Sequence, residues 1–257
     1  MFTDPEVDFV LSAAGGDFLM EMLEGVKWNE VRKHPKWFMG MSDPSTLLYI
    51  LPTAYDIASL YGHNAGSFDY DPLPLSQQYA LSYMQGDLVK EESFPEHFVG
   101  IGSDDLPVEE TYWKTPHGEV DVEGRVLGGC VDALRDIVGT DLDHTKEFLK
   151  RYEEEGVIWF LDNFALSAED LYHCLWQMKK AGWFTTAKAV LFGRTLFPST
   201  HIGFRYRQAL EKIFGKKIPL IMEADVGHTT PCLTLINGGY ARLKAAEGKG
   251  SIQFYQK

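Results

Sequence analysis

The chain has 257 residues, enough for one large domain or two small ones with a substantial core. Its formal net charge of −13 repels a polyanion across the average surface, so nucleic acid is not an expected partner. No run approaches the ~18–20 apolar residues of a membrane helix, which excludes that class of anchor as well.

Met1 to Glu6 lacks the basic and apolar regions of a secretory leader. Cys130, Cys174 and Cys232 are far apart and odd in number, and form neither a zinc pattern nor a disulfide framework. A cytoplasmic location is expected.

Short apolar runs alternate with helical patterns. Residues 7–12 (VDFVLS) read as a strand running into Ala13-Ala14-Gly15-Gly16, with a helical stretch around Phe18 to Leu23. Residues 36–41 (KWFMGM) read as a buried strand ending at Ser42-Asp43-Pro44, and Thr46 opens another helix. This rhythm predicts an α/β fold with a parallel, flavodoxin-like sheet, whose ligands sit at C-terminal strand ends.

Residues 69–123 are rich in Pro, acidic residues, Ser and aromatics with little periodicity. They are expected to be a linker with short strands, separating an N-terminal domain (1–68) from a C-terminal, β-rich domain (124–257). In the latter, Val131, Leu134 and Ile137 recur at helical spacing behind a Gly-Gly turn, and residues 157–161 (VIWFL) form a strand. Ser167 to Asp170 resembles a capping box, and the helix it starts ends near Gly182. Residues 189–192 and 219–222 are further strands, and segments 232–236, 241–243 and 252–255 predict a meander.

Three loops at strand ends are candidates for chemistry. Gly15-Gly16 permits close approach of a ligand to backbone N–H groups, or is simply a turn. Asp162, at the end of the VIWFL strand, orients a histidine or caps a turn. His228, between Gly227 and Thr229, is the general-base candidate.

Together and in this order these segments resemble the LD-carboxypeptidase family of serine peptidases, which includes peptidoglycan-tetrapeptide trimming enzymes and microcin C self-immunity peptidases. The resemblance runs through residues 2–11, Gly15-Gly16, residues 33–43 (KHPKWFMGMSD), residues 124–140 and Asp225 to His228. It implies a metal-free and cofactor-free Ser-Glu-His hydrolase of two domains, tending to homodimers. The substrate implied is a peptide or peptidoglycan-derived small molecule.

Mapped onto this chain, the resemblance makes His228 the base and Asp162 its acidic partner, one methylene shorter than glutamate. It puts the nucleophile two places after the residue following Gly-Gly, where Leu19 stands, with Ser42 assigned to another loop. Gly15, Gly16, Asp17 and Met20 are the implied substrate-binding positions. Leucine has no nucleophilic atom, so a catalytically inactive protein binding a peptide or nucleotide-peptide is the alternative expectation. The resemblance also implies a strand–helix portion ahead of Phe2, and an exposed sheet edge where that portion is missing.

Overall fold

The computed structural model describes residues 1–100 and 106–257. The strands are β1 (Phe9–Leu11), β2 (Trp37–Gly40), β3 (Ser59–Tyr61), β4 (Lys90–Glu92), β5 (Glu96–Phe98), β6 (Val108–Glu110), β7 (Val120–Cys130), β8 (Val157–Asp162), β9 (Ala187–Gly193), β10 (Leu220–Ala224), β11 (Leu235–Asn237), β12 (Tyr240–Ala246) and β13 (Lys249–Tyr255). The α-helices are α1 (Leu19–Leu23), α2 (Trp28–Lys33), α3 (Ser45–Tyr55), α4 (Leu75–Met84), α5 (Val131–Leu134), α6 (Thr145–Arg151), α7 (Ala168–Ala181) and α8 (Tyr206–Phe214).

Two sheets carry the fold. The first has the order β1-β2-β3-β11, with β1, β2 and β3 parallel and β11 antiparallel. The second has the order β10-β9-β8-β7-β12-β13-β4, its first four strands parallel and the rest antiparallel. The expected α/β class with a parallel sheet and a β-rich second part is therefore what forms. No helix among the described residues is long and apolar enough to cross a membrane.

The central strands read as unbroken apolar runs because both faces are covered. Along β8, Ile158 and Phe160 enter the core shared with the first sheet, whereas Val157, Trp159 and Leu161 enter the core under α7 and α8. Neighbouring β9 alternates likewise, Ala189 and Leu191 against Val190 and Phe192. Helix α3 bridges the two cores: Leu48, Ile50 and Leu51 pack into the first, and Tyr49 stacks on Trp183 at 4.8 Å in the second. Helix α7 starts as its sequence predicts, with Ser167 Oγ accepting from the Asp170 N–H, and ends at Gly182 in the left-handed conformation.

Three local expectations are corrected. Gly128-Gly129 is not a turn but the end of β7, because Gly128 lies so close to Phe160 that a Cβ would overlap that residue's carbonyl oxygen. The segment before β12 does not join a C-terminal meander: β11 leaves it to pair with β3 in the first sheet. Residues 69–123 include α4, which periodicity does not predict, and β4, which closes the edge of the seven-stranded sheet. Positions 101–105 of that segment lie outside the described residues.

Candidate active site

Asp162 is the last residue of β8 and is fully buried. Its Oδ2 accepts two hydrogen bonds, each at 2.6 Å: one from the Tyr61 hydroxyl at the end of β3, the other with His228 Nδ1. A carboxylate on one sheet is thus held by a phenol from the other, and the first contacts an imidazole from the loop after β10. The shorter acid reaches the ring without difficulty.

The His228 loop is pinned from below by Asp225, which is also fully buried. Asp225 Oδ2 accepts from the Phe94 N–H at 3.0 Å and from Trp113 Nε1 at 2.9 Å, while Oδ1 pairs with Arg194. Arg194 also donates to the Glu223 carbonyl at 2.9 Å and to Thr229 Oγ1 at 3.2 Å, so one guanidinium ties both sides of the loop. Phe164 covers the imidazole, ring centroids 4.6 Å apart. Asp132 fixes that phenylalanine by accepting from the N–H groups of Phe164 and Ala165.

Electrostatics set the state of the dyad. Burial disfavours the imidazolium of His228, but the charge and hydrogen bond of Asp162, and then the charge of Asp132, outweigh it and raise the pKa above the ordinary value. Burial alone pushes His63 down to about 4. With Nδ1 committed to Asp162, the buried Nε2 of His228 has no hydrogen-bond partner among the described residues. A histidine oriented in this way accepts a proton at its second nitrogen.

The loops assigned separately from the sequence meet in space. A Cβ on Gly15 would lie 2.9 Å from the Ser42 Cβ, and one on Gly16 would lie 2.9 Å from Asp43 Oδ2. Asp43 Oδ2 also accepts the Leu19 N–H at 3.0 Å. The side chains of Leu19 and Met20 pack, partly buried, against the core of the first sheet, and Asp17 is exposed.

Ser42 has φ 71°, a left-handed backbone that non-glycine residues rarely adopt. It lies in the sharp turn between β2 and α3 and is partly exposed. Gly40, two residues earlier, cannot carry a side chain: a Cβ there would lie 2.8 Å from Ser12 Cβ and 3.0 Å from Pro44 Cβ. On the other side, the Ser45 N–H donates to the Ser42 carbonyl, and Ser45 Oγ accepts from the Cys130 N–H at 3.0 Å. Cys130 pairs with Asp162 across β7 and β8, and its sulfur, a carboxylate oxygen of Asp162 and a ring nitrogen of His228 all lie within 4.8 Å of one another. Two hydrogen bonds, both through Ser45, therefore link the Ser42 backbone to Cys130 beside the dyad. Its signal in the sequence was Gly-x-Ser between an apolar strand and a helix, the pattern of a strained strand-to-helix elbow.

Two sequence profiles match the chain: the LD-carboxypeptidase N-terminal domain over residues 1–62 and the LD-carboxypeptidase C-terminal domain over residues 123–243. Among relatives, the chain is 25% identical to the "Probable murein peptide carboxypeptidase" of Bacillus subtilis (strain 168), over 98% of this chain and 74% of the relative. It is 24% identical to the microcin C7 self-immunity protein MccF of Escherichia coli, over 90% of this chain and 70% of the relative. Among solved structures, an MccF-like protein from Streptococcus pneumoniae in complex with AMP superposes with a TM-score of 0.79 at 24% identity, over 99% of this chain and 80% of that one.

Proposed function

The chain belongs to the LD-carboxypeptidase family, and from that premise we propose that it hydrolyses an amide bond in a small peptide-like substrate, with Ser42 as nucleophile, His228 as general base and Asp162 as the orienting carboxylate. The observation that carries this reading is the left-handed backbone of Ser42 at the β2–α3 turn. Such strain, of order 1–3 kcal/mol, persists where a surrounding structure enforces it, and a strand-to-helix elbow lifts a serine hydroxyl clear of its neighbours.

In this mechanism Ser42 Oγ attacks the scissile carbonyl carbon while its proton passes to His228 Nε2. The developing oxyanion faces backbone N–H groups of the Gly15-Gly16 loop and of Asp43. His228 then gives its proton to the leaving amine, and the ester left on Ser42 is cleaved by a water that His228 deprotonates. Asp162 holds the ring in the tautomer that leaves Nε2 free. Cys130 is not the nucleophile in this reading, because burial raises its thiol pKa well above the usual range and keeps it protonated.

The proposed substrate is a cell-wall peptide or an aminoacyl nucleotide; a relative named as a murein peptide carboxypeptidase supports the first, and similar structures holding AMP and glutamyl sulfamoyl guanosine support the second. This reading replaces the serine-less site centred on Leu19, in which the protein binds such ligands without turnover. The two separate in one experiment. The chain is incubated with a muropeptide tetrapeptide and with an aminoacyl-sulfamoyl nucleotide, product release is followed by mass spectrometry, and a fluorophosphonate adduct is mapped. Turnover and labelling at Ser42, both lost in Ser42→Ala and unaffected by Leu19→Ser, are expected. Full activity in Ser42→Ala, or activity that arises only in Leu19→Ser, overturns the assignment.

A further inference from the structure

We propose that Cys130, Asp162 and His228 form a site for one zinc-class transition-metal ion, and that its occupancy switches the hydrolase off. The donors are a thiol sulfur, a carboxylate oxygen and a ring nitrogen within 4.8 Å of one another. Bonds of about 2.0–2.3 Å to such atoms need donor separations of roughly 3.3–3.7 Å in a tetrahedral shell, so side-chain adjustments of an ångström or so close the site. The mixed sulfur, nitrogen and oxygen set suits a borderline-soft ion and not magnesium or calcium, which take oxygen shells.

A second observation points to a ligand independently. Asp162 is fully buried, yet its Oδ1 has no hydrogen-bond partner among the described residues. A buried carboxylate oxygen with unused lone pairs costs free energy that a cation recovers. Asp162 and Cys130 are fully buried, and His228, whose side chain keeps 12% of its surface exposed, is the member of the cluster nearest solvent.

Charge and protons balance. Cys130 releases its proton to solvent on binding, and thiolate plus carboxylate neutralise the divalent ion, while the neutral imidazole contributes a lone pair. Binding through Nε2 takes the lone pair that accepts the nucleophile's proton. Binding through Nδ1 moves the ring proton onto Nε2. Either way His228 ceases to be a base. This inhibitory half rests on the catalytic reading above, whereas the binding half rests on the cluster alone.

Two measurements test the halves separately. Cobalt(II) titrated into the reduced, metal-free chain is expected to give a thiolate-to-cobalt charge-transfer band saturating at one ion per chain. The band should be displaced by zinc, lost in Cys130→Ser and kept in Cys174→Ser. The absence of a band, or its persistence in Cys130→Ser, overturns the site. Should Cys130→Ser fail to fold, His228→Ala serves instead, and undiminished stoichiometric zinc binding there overturns the proposal. With the substrate above, stoichiometric zinc should abolish turnover and a chelator restore it. Full turnover with zinc bound, or a rate increase, overturns the inhibition. A chain that binds cobalt as described but never turns over substrate contradicts the hydrolase reading and leaves the metal site standing.

Discussion

A Cβ on Gly227 would lie 1.9 Å from Oδ1 of Asp162. Glycine is required there twice over, since Gly227 also has φ 92°, outside the range that side chains tolerate. The close approach lets the loop after β10 bring His228 down onto the carboxylate. Gly227→Ala is therefore expected to push the loop away, lowering kcat/KM by about 10²-fold with a modest loss of thermal stability. Steady-state kinetics and a melting curve on the purified variant check this; unchanged kinetics would show that the contact does not position the ring.

Asp162→Asn keeps the shape but removes the charge, and an amide can present its NH₂ to Nδ1 and favour the wrong tautomer. By analogy with the corresponding change in other triads, kcat should fall by about 10⁴-fold with the fold intact. Single-turnover rates alongside circular dichroism check both halves. Tyr61→Phe removes the other donor to the same oxygen and should have a smaller effect, of about 1.5–3 kcal/mol at most.

The pH profile follows from the raised pKa of His228. In the proposed role of general base the ring works when neutral, so activity is expected to fall as pH drops through that pKa, with the acid limb of kcat/KM displaced upward from the ordinary histidine range. Stability carries the opposite sign. A raised folded-state pKa gives stabilisation that is complete below the unfolded value and lost as pH rises through the folded one. Removing the Asp162 charge should move the acid limb downward in whatever activity remains.

Glu91 gives a second pH effect, away from the site. It is fully buried on β4, accepts from the Thr234 N–H at 3.2 Å, and burial raises its pKa to about 8. Between the unfolded value near 4.5 and about 8 the folded chain holds a proton that the unfolded chain has lost, so stability falls with rising pH there, by at most ~1.4 kcal/mol per unit. Glu91→Gln keeps an acceptor for Thr234 without the titration. Its melting temperature should match the wild type near pH 5 and exceed it above pH 8; parallel curves across that range would refute the assignment.

The buried Arg194–Asp225 pair is expected to behave as a unit. Arg194→Met strands the Asp225 carboxylate in the interior and should cost about 3–5 kcal/mol, measured by urea unfolding. Because Arg194 also holds Glu223 and Thr229, turnover at temperatures where the variant remains folded should fall too.

Much of this was legible in the chain itself. Apolar runs such as residues 157–161 announce strands buried on both faces, and the acid at the end of one strand and the histidine after another mark two loops at the C-terminal end of a parallel sheet. These features are local, because periodicity and strand-end chemistry depend on neighbours a few residues away. The contact between His228 and Asp162, 66 residues apart, required the β8–β9–β10 order to form.

Other relationships have no linear trace. The backbone of Ser42 is left-handed because β2 must turn at once into the buried helix α3 between Gly40 and Ser45, and spacing along the chain does not report a dihedral angle. Leu19 and Ser42 are 23 positions apart, yet Asp43 binds the Leu19 N–H, so two loops read as separate are one wall. Tyr61 joins the dyad only because the first sheet packs against the second, and Cys130 only because β7 pairs with β8. Sequence specifies which residues can do chemistry and which surfaces must be buried; packing those surfaces decides which of the reactive groups meet.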